Sequence, residues 1–198
     1  YAAKSGGIAI VRELKKHWGR EDFLAKNKFG ENSLLVSTNV EVIRFLIYEM
    51  KVDPKDSFDA FGRGICHKFA KTGKELSDED ITAIMEFFPD SIMDMRDDFE
   101  KTPLFLAVAE NNANFVKCLL NKGVASFNDG PSNASPFWIA CLYGHYESAE
   151  ILFKKNALLM KEGPDGTNPI TLIVTNEHKN LINLFNQRIP SEVLEELI

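Results

Sequence analysis

The chain has 198 residues, with 29 acidic against 23 basic side chains, a formal net charge of −6 and 44% hydrophobic residues. That charge excludes general nucleic-acid binding, which needs a basic footprint. No run approaches the roughly 18 apolar residues that span a bilayer, which excludes direct membrane insertion, and no signal-peptide pattern is present.

In chain order, Ala2-Ala3-Lys4-Ser5-Gly6-Gly7 leads into Ile10-Val11 and Leu14. This stretch reads as a unit whose opening is cut off, so the chain reads as a piece of a longer polypeptide. Gly30-Glu31-Asn32-Ser33-Leu34 follows, with Asn32 in a helix-cap position. Val42-Ile43 and Leu46-Ile47 then arrive three residues early, predicting a shortened first helix or turn. Gly62-Arg63-Gly64-Ile65-Cys66-His67, with Ala70 and Gly73, opens another helix. Its partner helix is delayed by Lys74-Glu75-Leu76 and starts at Ser77-Asp78-Glu79-Asp80, a capping-box pattern with acids in the first turn. Ile81, Ile84, Met85 and Phe88 give that helix one apolar stripe.

The second half repeats one signal. Thr102-Pro103, Ser135-Pro136 and Asn168-Pro169 are each 33 residues apart. A side-chain oxygen there accepts an orphan amide, and proline at the first helical position gives up an N–H that has no partner. After Thr102 come Ala107, Asn111-Asn112, Phe115-Val116, Leu119-Leu120 and Gly123. After Ser135 come Ala140, Gly144-His145, Ile151-Leu152 and Asn156-Ala157. The order is cap, apolar helix, tight turn, second apolar helix and C-cap, and a fixed period of this length means stacked supersecondary units.

These residues resemble the ankyrin repeat, most closely from Asp97 to Val124, through Asp97-Asp98-Phe99-Glu100-Lys101-Thr102-Pro103-Leu104. The resemblance implies an all-α solenoid of antiparallel helix pairs with finger loops between repeats, forming one elongated domain. Half a repeat and five fuller ones are expected, over residues 1–27, 28–56, 57–96, 97–129, 130–162 and 163–187, with a capping helix at 188–198. His67, His145 and His178 fall where the family carries histidine for local hydrogen bonding. Glu100 and Asn133 replace a finger glycine, and Glu177 an interhelical one, which predicts local strain or a different turn.

Nothing in the sequence calls for catalysis. Cys66, Cys118 and Cys141 sit at or beside apolar positions without metal-ligand spacing, and read as reduced thiols in a cytosolic or nuclear compartment. No histidines share the i, i+4 relation of a zinc helix, and no phosphate loop or nucleophile elbow is present. No enzyme activity, cofactor or metal is expected.

The resemblance implies a protein or peptide partner at the finger tips and the ends of the first helices. The candidate residues are Phe29, Phe61 and Phe99, each three positions before a cap, with Lys28, Arg63 and Lys101 as a basic rim. At the helix ends they are Lys71, Glu110, Leu142 and Tyr143. Three phenylalanines at positions the family leaves variable read as a ladder for a peptide with apolar and acidic residues; the same rings could instead pack locally. Two other readings stand beside this one: a regulatory or targeting part of a larger enzyme, channel or effector, and an architectural domain that packs against its own chain or a second copy.

Overall fold

The computed structural model describes residues 2–5, 7–73, 76–155, 157–158 and 161–188. Its α-helices are α1 (Ala2–Ser5), α2 (Ile8–Lys15), α3 (Arg20–Leu24), α4 (Ser33–Val36), α5 (Val40–Tyr48), α6 (Ile65–Thr72) and α7 (Asp78–Met85). They continue with α8 (Pro103–Ala109), α9 (Ala113–Asn121), α10 (Pro136–Tyr143), α11 (Tyr146–Lys154), α12 (Pro169–Thr175) and α13 (Lys179–Arg188). No strand is present among the described residues.

The helices start for local reasons. Thr102 Oγ1, Ser135 Oγ and Asn168 Oδ1 accept the amides of Phe105, Trp138 and Thr171 at 3.1, 3.1 and 2.9 Å, and proline takes the first helical position of α8, α10 and α12. Asn32 caps α4 through the amides of Leu34 and Leu35, both at 3.1 Å. Ser77 Oγ accepts from the Asp80 amide at 3.1 Å, but the Asp80 carboxylate meets the Ser77 hydroxyl rather than its amide. Only half of the expected capping box forms.

Each inner helix packs against its outer partner and side by side with the inner helices of the neighbouring pairs. The inner layer stacks α1, α4, α6, α8, α10 and α12, and the outer layer stacks α2, α5, α7, α9, α11 and α13. Between them lies one continuous core, in which Phe45, Phe69, Phe115 and Phe137 are fully buried. Residues 103–108 of α8 and 136–141 of α10 are buried all round, as befits helices flanked on both sides and backed by the outer layer. The early arrival of Val42 corresponds to an α4 of only four residues. The opening stretch differs from the expected simple half repeat, because α3 is an additional helix packed on α4. Of the capping helix expected at 188–198, Arg188 instead ends α13 and residues 189–198 lie outside the described residues, as does Asn156, expected as a C-cap.

At Glu100 and Glu177 the departure from glycine is accommodated by strain with the turn unchanged, whereas at Asn133, φ 71°, the turn differs, because Ser132 before it is left-handed as well, at φ 50°. Asn111, Gly144 and Glu177, spaced at 33, all take left-handed backbone between paired helices, with φ of 55°, 70° and 54°. Glu100 has φ 60° where Gly30 and Gly62 have 79° and 70°. A non-glycine residue there costs on the order of 1–2 kcal/mol, so the packing of each pair overrides the local preference of Glu100 and Glu177.

Candidate partner-binding surface

Three successive fingers share one construction. Asn27 Oδ1 accepts the amides of Phe29 and Glu31 at 2.9 and 3.0 Å. Asp59 Oδ1 accepts those of Phe61 and Arg63 at 2.8 and 3.0 Å, and Asp97 Oδ1 those of Phe99 and Lys101 at 3.0 and 2.9 Å. Each finger is therefore a side-chain-closed turn of the kind that asparagine and aspartate favour. The fingers also bond to one another, Ala60 N–H to Phe29 O at 2.9 Å and Asp98 N–H to Phe61 O at 3.1 Å. The residues equivalent to Ala60 and Asp98 in the next two fingers are Pro131 and Pro164, which have no N–H to continue the ladder.

On this bonded strip Phe29, Phe61 and Phe99 remain 54%, 46% and 51% exposed. Phe61 and Phe99 meet with ring centres 6.1 Å apart. The Arg63 guanidinium sits 5.3 Å from the Phe61 ring centre and 5.7 Å from that of Phe99, and its Nε donates to Asp97 Oδ2 at 3.1 Å. The Asp97 side chain is fully buried, so this carboxylate does two things: it closes the third finger and it holds the cation between the rings. The basic rim is thinner than the sequence suggests, because the Arg63 charge is committed within the fold. Lys28 Nζ lies 5.0 Å from the Phe29 ring centre, and Lys101 Nζ lies 6.0 Å from that of the buried Phe105. Exposed Asp98 and Glu100 stand among these cations.

Carboxylates below the strip are held ionised. Burial pushes the Asp59 carboxyl up, but the Arg63 and Phe61 amides and the Lys68 ammonium, at 3.2 Å, outweigh it and leave the pKa below its ordinary value. Glu31 behaves likewise: burial raises it, and contacts with Lys68 and the Asn27 side chain bring it below normal.

The helix-end candidates form a second, separate strip. Lys71 Nζ stands 4.0 Å from a Glu110 carboxylate oxygen. Tyr143 is 58% exposed, its ring 5.6 Å from that of His145. Leu142 is half-buried and its carbonyl accepts from His178 Nε2 at 3.1 Å. One inner helix of seven or eight residues, roughly 10–12 Å, separates these residues from the fingers.

The repeat-register histidines bond across repeats, and His67 also bonds locally. His145 Nδ1 reaches Val108 O at 2.7 Å, and His67 Nε2 reaches Lys101 O at 3.0 Å while His67 Nδ1 accepts the Gly64 amide at 3.2 Å. With such an inner helix layer, cross-repeat histidines and side-chain-closed fingers, the architecture is distinctive, and the family model for ankyrin repeats matches residues 67–162 as three copies. Residues 67–162 are ankyrin repeats. No curated protein matches the chain. Ankyrin repeats are in general protein–protein interaction modules and typically non-catalytic. Burial pushes the Cys66, Cys141 and half-buried Cys118 thiols up, away from the reactive thiolate.

The bonds of His67 define its proton. Nε2 donates to Lys101 O, so Nδ1 must be the unprotonated acceptor for the Gly64 amide. Burial lowers the His67 pKa, and the Lys101 carbonyl and Asp97 only partly offset this. A depressed histidine contributes stability that is complete above the unfolded value of about 6.5 and is lost as pH falls toward the folded value. Thermal melts should therefore show wild type losing more stability than a His67→Gln variant between about pH 7.5 and pH 5, with the two curves parallel at higher pH.

Proposed function

We propose that this ankyrin array is a non-catalytic recognition module that binds a protein or peptide across its fingers, with Phe29, Phe61 and Phe99 as the apolar contact and Lys28 and Lys101 as flanking cations. The observation that carries the reading is that three half-exposed phenylalanines stand on a stretch of fingers whose backbones are bonded together. The turns close through Asn27, Asp59 and Asp97, so the fold does not need those rings to shape the fingers. A partner with aliphatic or aromatic side chains beside carboxylates fits such a strip.

A packing role for the same rings is favoured by one observation, the Phe61–Arg63–Phe99 stack. The two roles are separable. Each ring is already half-buried, so a partner that covers both Phe61 and Phe99 gains about 1 kcal/mol from each, roughly thirtyfold in affinity together. Affinity capture with wild type and with a Phe61→Ser/Phe99→Ser variant should retain a protein on the first and lose it on the second, with melting temperatures within a few degrees. Equal capture by both, or a variant that no longer folds, sets the reading aside in favour of packing.

A further inference from the structure

Between the first two helix pairs the structure opens a cleft of about 680 Å³, within the range of roughly 300–1,000 Å³ typical of small-molecule sites. Its apolar wall includes Ile10, Val11, Leu14, Trp18, Phe23 and Val36. Val11 and Phe23 are buried, whereas Ile10 and Trp18 are 54% and 47% exposed, so the cleft has a closed inner side and an open rim. Trp18 is already held edge-on against Phe23, ring centres 6.1 Å apart.

The polar side chains of the wall are Asp22, Lys26, Asn27, Glu31, Asn32 and Ser33, and each is bonded within the fold. Asp22 accepts the Gly19 amide at 2.8 Å, and Lys26 Nζ donates to Phe58 O at 3.0 Å. Asn27 Oδ1 closes the first finger, and its Nδ2 donates to Glu31 Oε2 at 2.9 Å. The other Glu31 oxygen meets Lys68. Asn32 Oδ1 caps α4 and its Nδ2 donates to Ser57 Oγ at 2.8 Å, while Ser33 Oγ donates to Phe23 O at 2.7 Å.

These bonds decide what the cleft can hold. The Glu31 charge is taken up by Lys68, and Lys26 stands against Asp22 in the remainder of the wall. A charged occupant would lose hydration there and find no free counter-charge. An extended peptide would bring N–H and C=O groups that the wall cannot satisfy. What remains is an uncharged body that gains by leaving water and asks for no hydrogen bonds.

We propose that this cleft binds a neutral, largely hydrocarbon small molecule, with Ile10, Leu14, Trp18 and Val36 as its contacts. The site stands apart from the finger strip and does not depend on it. The two meet only at the first finger, where Asn27 and Glu31 line the cleft and Phe29 stands on the strip.

The test uses the full chain and the neutral dye phenylnaphthylamine, whose emission rises in apolar surroundings. We expect saturable binding of one dye per chain, unchanged by added salt because no charge pair forms, with Trp18 emission falling as the dye is taken up. Ile10→Asp places a charge in the wall and should weaken the dye by about tenfold or more. Ala25→Leu fills part of the cleft without a charge and should weaken it as well. Both residues are exposed, so neither change removes a core side chain. The anionic counterpart anilinonaphthalenesulfonate should bind at least about tenfold less tightly than the neutral dye. Absence of saturable binding, equal affinity for the two dyes, or binding that Ile10→Asp and Ala25→Leu leave unaltered would overturn the proposal.

Discussion

Replacing Asp97 with alanine is expected to lower the unfolding free energy by about 3–4 kcal/mol, measured by urea denaturation. Its carboxylate is fully buried and has three donors at once: the Phe99 and Lys101 amides through Oδ1 and the Arg63 guanidinium through Oδ2. Alanine leaves all three without their acceptor, and removing one side of a buried pair costs about 3–5 kcal/mol. The lower part of that range applies because Arg63 is 19% exposed and recovers some hydration. Asparagine at position 97 separates the two roles. In the first finger Asn27 closes the same turn with a neutral amide oxygen, so Asp97→Asn should keep the finger and lose only the ion pair, at about 1–2 kcal/mol. A loss as large as that of alanine would mean that the charge, not the turn, holds this finger. Either substitution frees Arg63 from between Phe61 and Phe99, so both should also alter what the finger strip binds.

The parts of this architecture legible in the sequence are the ones fixed by neighbouring residues. A cap followed by proline acts within one helical turn, which is why Thr102, Ser135 and Asn168 mark three helix starts correctly. The early Val42 likewise reveals a short α4, since an apolar face must follow the helical period wherever it begins. What escaped reading depends on residues far apart. Arg63 looks like a free rim cation until Asp97, 34 positions later, is brought beside it. The cleft of Ile10, Trp18 and Phe23 exists only once α1 to α4 have packed. Two signals were present and unread. Asn27, Asp59 and Asp97 each stand two residues before a phenylalanine, the local pattern of a side-chain-closed turn, but the uneven spacing of the first repeats hid it. Gly19-Arg20-Glu21-Asp22 holds the α3 start, where the Asp22 carboxylate accepts the Gly19 amide, a box that glycine at the cap position disguises.

Glu100 and Glu177 show how the two levels trade against each other. Local preference opposes left-handed backbone at glutamate, and sequence reading rightly flags both positions. The array nevertheless imposes φ of 60° and 54°, because the alternative would misplace whole helices in the stack. Strain of roughly 1–2 kcal/mol at one residue is small beside the burial of an inner helix such as α8, six of whose seven residues are buried. Finger and turn positions can therefore vary in sequence without loss of fold, which leaves them open to carry recognition.

Phe69→Ala should have an effect larger still in kind, since it uncouples the two halves of the array. Phe69 is 2% exposed on α6, and its ring centre lies 6.3 Å from that of Phe88, in the segment that follows α7, and 6.4 Å from that of Phe115 on α9. The side chain thus belongs both to its own repeat and to the interface with the next one. Truncating a buried phenylalanine costs about 3–5 kcal/mol, and here that loss is concentrated at one junction. Stability in a linear array is a sum of repeat terms and nearest-neighbour interfaces, so cooperativity fails first at the weakest interface. Trp18 lies before this junction and Trp138 after it, and they report the two sides separately. In wild type the two emission changes should coincide along a urea titration. In Phe69→Ala they should part, each tryptophan being read in a version in which the other is replaced by phenylalanine. A single shared midpoint, merely lowered, would show that α4, through its contacts with α6, and the outer helices carry enough coupling to keep the array one cooperative unit even without the aromatic cluster.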